Sequence, residues 1–328
     1  MWKEINMNEQ KNENSVIDQY KILKYSHLDL WFLRNDSLPW VGHTPFGRML
    51  VAELKPGVLV ELGTHWGKSY LTFSQSVLEF SLNTKCYSVD SWEGDTQAGY
   101  YDDEIFLYVN KINGENFDSF STLKRMSFND ALQEFEDNSI DLLHIDGFHS
   151  YKAVREDFYN WLPKVKAGGI ILFHDANEFQ DGFGVAHLWN EIKHEADGTH
   201  LFRHSHGLGV WRKPGGGPLQ SDILSTLLQE NSAEAQLIDS FCTALGESQR
   251  QRAMLIVKGQ SLAEKQRELL LLKDQNSKFM NLAQDYSSLS ELYNNIYFEY
   301  NKILASKSWK FTMPLRSLMG YIRKLYYR

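Results

Sequence analysis

Cysteine is nearly absent from this 328-residue chain, which has only Cys86 and Cys242. One falls in a predicted core strand and the other in a predicted helix, so they give neither a disulfide framework nor metal-ligand spacing, and a reducing cytoplasm is the expected compartment. Long apolar runs are missing too. The N-terminus, MWKEINMNEQKNENS, holds no apolar stretch of signal-peptide length, and nothing later approaches the roughly 20 apolar residues that span a bilayer, so neither standard secretion nor a membrane crossing is expected. Basic charge is in deficit. The 34 Lys and Arg against 42 Asp and Glu leave a formal net charge of −8, without the clustered basic face that a nucleic-acid binder presents to phosphate. Glycine and proline vanish between Gly259 and Pro314, which favours long helix there.

What is present is most informative from Leu59 to Ser69, LVELGTHWGKS, an apolar run ending in an acid and two glycines. This reads as a buried strand turning tightly into a helix. Gly63 can take backbone angles that a Cβ forbids, and Gly67 lets the helix start close against strand and ligand. A pyrophosphate-binding loop needs G-x-G-x-x-G, whereas Thr64, His65 and Trp66 separate these glycines. A ligand with a cationic centre and no phosphate fits better, and S-adenosylmethionine (SAM) is the common one. Three further strand-like runs, Cys86 to Asp90, Ile140 to Asp146 and Gly168 to Asp175, each end in a carboxylate. Ligands of open parallel sheets gather beyond the carboxyl ends of the strands, so Glu61, Asp90, Asp146 and Asp175 are expected to line one crevice, with Glu61 and Asp90 near a ribose. The fold class is α/β: a doubly wound, Rossmann-like sheet followed by a C-terminal helical extension.

Punctuation divides the rest. Residues 1–24 form a polar N-terminal segment, and 25–213 the catalytic domain, whose aromatic stretch from Tyr25 to Phe46 is expected to cap the crevice. GDTQAGYY, from Gly94, reads as a loop running into helix, Tyr151 to Leu162 as an amphipathic crossover helix, and Pro163 with Gly168-Gly169 as a turn. KPGGGP from Lys213 marks a linker over 214–220, before a helical region over 221–305. There Leu272, Phe279, Tyr286, Tyr293 and Tyr300 share one heptad position, and Leu282, Leu289, Ile296 and Ile303 lie three residues after its later members. That seam predicts a coiled coil or helical hairpin, with self-association through it as one outcome and a single helix packed on its own chain as the other. Residues 306–328 carry Lys307, Lys310, Arg316, Arg323, Lys324 and Arg328 with no acid, interleaved with Trp309, Phe311, Tyr326 and Tyr327, a tail suited to an anionic membrane surface or to an acidic partner. The placement that follows is cytoplasmic, peripheral at the inner face of the membrane.

VELGTHWGKS from Val60, VDSWEGD from Val89, HIDGFHSY from His144, FHDA from Phe173 and HSHGLGVW from His204 occur in this order. In these motifs the chain resembles the class I SAM-dependent methyltransferases, and within them a branch often encoded with bacterial glycosyltransferases; the resemblance runs from about Leu38 to Arg212. It implies that Glu61, Gly63, Gly67, Ser69, Asp90, Ser91, Trp92 and Ser127 hold SAM, with Ser127 toward adenine. It implies equally that Asp146 and Asp175 hold a divalent cation, Mg²⁺ or Mn²⁺, and that His149 serves as base; where related sites carry a carboxylate or amide this chain has His174, either a further metal ligand or a side chain turned inward onto backbone. His43, His187, His204 and His206 are candidates to face the acceptor. The implied activity is O-methylation of a sugar or glycan hydroxyl in surface-polysaccharide or glycolipid assembly, with glycosyltransferases as partners. Two other readings stand beside it: a metal-dependent hydroxylase built on the Asp146, His149, His174 and Asp175 cluster, and a non-catalytic scaffold for glycosyltransferases.

Overall fold

The computed structural model describes residues 38–97, 99–229 and 232–307, and beyond these 312, 314, 316–320 and 323. The polar segment 1–24, the aromatic residues up to 37 and the tail residues Trp309, Lys310, Phe311, Lys324, Tyr326, Tyr327 and Arg328 lie outside the described residues.

Two helices, α1 (Leu38–Val41) and α2 (Thr44–Leu54), precede strand β1 (Val58–Leu62). Helix α3 (Lys68–Glu79) leads to β2 (Lys85–Asp90), and then a small antiparallel hairpin, β3 (Gly94–Asp95) with β4 (Gly99–Tyr100), stands where a plain loop was expected. Helix α4 (Glu104–Asn116), β5 (Ser121–Arg125), α5 (Phe128–Ala131), β6 (Ile140–Ile145), α6 (Tyr151–Trp161), β7 (Val165–His174), α7 (Val185–Ile192), β8 (Gly198–Phe202) and β9 (Leu208–Arg212) follow. Seven strands form one sheet in the order β5-β2-β1-β6-β7-β9-β8, parallel from β5 to β7 and antiparallel at β9 and β8. The order reverses between β1 and β6. That switch point is where an open α/β sheet leaves a crevice beyond its strand ends.

Strand alternation sorts the core into two layers. Leu59, Cys86, Leu142, Ile170 and Leu172 face one cluster, and Val60, Leu62, Leu143, Ile145, Ile171 and Phe173 face the other. Helix α3 is buried from Lys68 to Val77, which its polar residues would forbid had they no partners. Thr72 and Ser76 donate their hydroxyls to the carbonyls of Lys68 and Thr72, each at 2.7 Å. Gly168 and Gly169 lie inside β7, beside an irregularity in its pairing with β6, instead of forming a turn before it. Gly168 sits at φ +77°, and a Cβ on Gly216 would come within 2.2 Å of its Cα, so the glycine-rich stretch after β9 packs back on the sheet.

Past β9 come α8 (Asp222–Leu227) and α9 (Ala233–Ala305), a helix of 73 residues. The helical hairpin is therefore excluded, because no turn interrupts this stretch. Contacts divide the chain into residues 1–258 and 259–328, so the compact unit extends well past the expected linker at 214–220. Ala235, Ile238, Cys242 and Ala253 supply the reason: they are buried in the first unit. Among the described residues no helix is long and apolar enough to cross a membrane.

Glu61 and His144 face each other in register across β1 and β6, both fully buried, with His144 Nδ1 and Glu61 Oε2 2.8 Å apart. The Trp40 indole N–H donates to His144 Nε2 at 3.4 Å, which leaves Nδ1 as the donor to the carboxylate. Burial pushes the Glu61 carboxyl up, and the His144 hydrogen bond opposes that shift. The expected outcome for His144→Phe, which leaves a buried acid without its partner, is a loss of about 3–5 kcal/mol in urea unfolding at neutral pH. Glu61 is the acid whose folded pKa is raised, so the deficit should shrink as pH falls and the carboxyl is protonated.

Candidate active site

The carboxyl ends of β1, β2, β6 and β7 open onto two adjoining cavities. One, of about 330 Å³, is walled by Trp40, Trp66, Lys68, His174, Asp175 and Phe183, among others, and the second, of about 450 Å³, by Gly63, Asp90, Ser91, Ser127 and Phe128. They share Thr64, His65, Asp146 and His149.

Backbone geometry creates the opening. Gly63 takes φ +84°, and a Cβ there would lie 2.0 Å from the Asp146 carbonyl oxygen. Asp90 orders the loop that follows: Oδ2 accepts from the N–H groups of Thr64 (2.8 Å) and His65 (2.9 Å), and Oδ1 from that of Trp92 (2.7 Å). Asp90 thus borders the second cavity while its carboxylate holds protein backbone. Gly67, at φ +78°, is the N-cap of α3; a Cβ on it would meet Leu71 and Val109, so its role is close packing.

Several expected ligand-binding residues lie elsewhere. Glu61 is inside the sheet layer against His144, because position 61 shares the face of Leu59 and not that of the crevice. Trp92 is fully buried at φ +52°, packed with Trp66, Ile105 and Val109, and its indole N–H donates to the His65 carbonyl at 3.0 Å. It is a wedge beneath the loop, not a wall of the cavity. Ser69 borders the first cavity, and Ser127 borders the second while capping α5 through the Asp130 N–H. Of the four histidines proposed to face an acceptor, only His206 lines a cavity. His187 is exposed on α7, and His204 turns away to the Gly42 carbonyl (3.0 Å) and to Thr243 of α9 (3.1 Å). His43 is buried with its ring 5.7 Å from that of His174, and burial, then the nearby His174, pushes its pKa well down.

Asp146, His149 and Asp175 bring one donor atom each within 4.8 Å of one another, a grouping that can hold a metal ion. His149 Nε2 lies 2.9 Å from Asp175 Oδ2 and 3.5 Å from Asp146 Oδ1, and its Nδ1 is 3.2 Å from Gln97 Oε1. His149 is therefore a member of the cluster and does not stand apart from it. His174 Nδ1 lies 3.3 Å from each of the two carboxylates. Burial would lower the pKa of both imidazoles, yet the carboxylates reverse this, carrying His149 up to about 9 and His174 well above its ordinary range. In turn, against the effect of burial, His174 holds Asp146 and Asp175 below the usual carboxylate range. The result is two negative and two positive charges, which a dication replacing two protons would also balance. Asp175 itself sits at φ +59°, and His65, Ser205 and His206 around the opening are also left-handed. Such strain in non-glycine residues gathers at sites where geometry is over-determined.

Gln97 was not singled out from the sequence. Its position in the β3–β4 hairpin lets it bridge the His149 ring and, through Nε2, the Gly182 carbonyl at 3.0 Å. The only local signal was a D-T-Q-A-G turn, which carries no indication of what lies opposite.

Residues 60–176 match the family described as methyltransferase domain. The match covers that segment, about a third of the chain. The chain is also similar to the uncharacterized protein y4gI of Sinorhizobium fredii, 44% identical over 176 residues, which covers 53% of this chain and 19% of that protein. The chain thus spans about a fifth of the length of the curated relative it matches. Solved structures with partial likeness include the SAH-bound methyltransferase PaMTH1 of Podospora anserina (12% identity, 53% of this chain and 78% of that one, TM-score 0.41). Another is the O-methyltransferase TomG of Streptomyces achromogenes in complex with SAM (11% identity, 56% and 91%, TM-score 0.40).

Gly63→Ala tests the opening at the carboxyl ends of β1 and β6. The added methyl meets backbone at a left-handed position, so about 1–3 kcal/mol of stability should be lost in denaturant unfolding. The same substitution at Gly99, also at positive φ but with open space around it, should cost less.

Proposed function

We propose that the chain is a SAM-dependent O-methyltransferase that acts, with a divalent cation, on a hydroxyl of a sugar or glycan. The observation that carries this reading is the pair of cavities sharing Thr64, His65, Asp146 and His149, since a donor in one and an alcohol in the other would meet at the acidic cluster. The second cavity fits the donor: Gly63 lines it beside the Asp146 backbone, and Asp90, with three backbone hydrogen bonds across its two oxygens, keeps acceptor capacity toward a ribose. The mixed oxygen and nitrogen donors of Asp146, His149 and Asp175 fit Mn²⁺ or Fe²⁺ better than Mg²⁺. Trp40, Trp66 and Phe183, with Glu178 and Gln180, give the first cavity the apolar faces and hydrogen-bonding groups that a sugar ring needs.

SAM supplies an electrophilic methyl on a good leaving group, and a divalent cation supplies charge that acidifies a bound hydroxyl. The protein's share is to place and deprotonate the acceptor. Asp146 and Asp175 would hold the cation, with His149 as a third donor, and His174 steadies both carboxylates through Nδ1. Two groups on the cavity wall can take the hydroxyl proton. His149 is the one the motif resemblance indicates, and in that role its Nε2 takes the proton in place of ligating the cation, which then rests on the two carboxylates. Lys68 borders the same cavity, and burial brings its pKa down to about 7, where an amine exchanges protons near neutrality.

Calorimetric titration with SAM, with and without Mn²⁺, is the direct test. Asp90→Ala should weaken SAM binding at least about tenfold, whereas Asp146→Ala should keep SAM affinity and lose the metal-dependent release of S-adenosylhomocysteine. Equal loss of SAM affinity in both variants would overturn this division of roles, and iron-dependent turnover without S-adenosylhomocysteine would favour a hydroxylase.

A base works in its unprotonated form, so kcat/KM should rise as pH passes the pKa of the group that takes the proton. If that group is Lys68, the rise lies near pH 7 and disappears in Lys68→Met. A rise unchanged in Lys68→Met and lost in His149→Ala assigns the step to His149.

A further inference from the structure

Helix α9 changes character within its length. Every residue from 259 to 303 is exposed, although the segment is rich in large apolar side chains. Phe279, Leu282, Tyr286, Leu289, Tyr293, Ile296, Tyr300 and Ile303 follow one another at alternating steps of three and four, and each is 50–74% exposed. On an α-helix that 3.5-residue period forms one continuous stripe that winds slowly around the axis. No carboxylate or amine interrupts the stripe, since Asp285, Glu291, Glu299 and Lys302 occupy other heptad positions.

We propose that this stripe is a homotypic interface, covered by the same stripe of a second copy of the chain. The area suffices. Aromatic side chains bury about 150–250 Å² each, so four of them and four aliphatic residues, all at least half exposed, offer roughly 800 Å² per helix. Two copies then bury roughly 1,600 Å², the size of a standard stable interface. Charge does not oppose the pairing. In a parallel arrangement Asp285 and Glu299 flank Ser290 and Leu304 of the second copy, and in an antiparallel one Glu299 meets Lys278, so neither opposes like charges. A lipid surface is the poorer occupant, because helices that lie on anionic bilayers carry Lys and Arg on the polar face. Residues 279–303 hold three acids and one lysine.

Sedimentation equilibrium of the full-length protein at micromolar concentration should give twice the 38.1 kDa chain mass. The double variant Leu289→Lys/Ile296→Lys should sediment at the single-chain mass, with its SAM affinity and the melting temperature of the catalytic unit unchanged. A control, Glu291→Lys, lies off the stripe and should remain dimeric. A monomeric wild type overturns the proposal, and so does a dimer that survives the double variant. Neither result depends on methyl transfer, so failure here is distinct from failure of the proposed activity.

Discussion

The seam between β1 and β6 is the constraint on which the rest of the domain depends. Strand order reverses there, so the two chain segments leaving the sheet diverge and a crevice opens between them. The seam is held twice. Inside the layer, Glu61 and His144 pair in register with Trp40 closing the third contact, and just beyond the strand ends the Asp146 N–H donates to the Leu62 carbonyl at 2.8 Å. Gly63 then passes so close to the Asp146 backbone that only a residue without a Cβ fits. A single buried hydrogen bond adds modest net stability, but this one specifies register strongly, since a one-residue slip would leave both groups unpaired.

The same seam sets the electrostatics of the opening. It delivers Asp146 to within reach of two imidazoles, His149 from its own loop before α6 and His174 from the end of β7. Behind His174 a line of buried groups continues through His43 and His204 to Thr243, and Thr243 donates to Asp239, which pairs with His200 at 2.8 Å. Gly246 packs so tightly that a Cβ would sit 1.8 Å from the Gly42 carbonyl. The early turns of α9 are thus part of the wall that backs the acidic cluster. This explains physically why the compact unit extends to residue 258 instead of ending after β9.

Much of this was legible in residue order. Apolar runs ending in carboxylates marked four strands of the sheet, and the glycines of LVELGTHWGKS marked the turn that forms the opening. The convergence of Asp146, His149 and Asp175 followed from strand ends alone, because parallel neighbours deliver their termini to one edge. What stayed hidden depends on direction and distance. Glu61 ends the same kind of run as Asp90, yet strand parity turns it into the layer; Trp92 sits in a loop beside the site, yet it points beneath it. Gln97 and His43 reach the cluster from segments whose own sequences carry no sign of a partner.

By itself the sequence determined the α/β class, the place of the glycine turn, the acidic strand ends and the heptad stripe of α9, since each follows from backbone freedom or from a local period of two or 3.5 residues. Tertiary structure alone decided which acids face the crevice, that Gln97 and His43 reach the cluster, and that the first part of α9 belongs to the first compact unit. These are outcomes of packing between segments far apart in the chain, where one Cβ or one turn of a ring selects the partner.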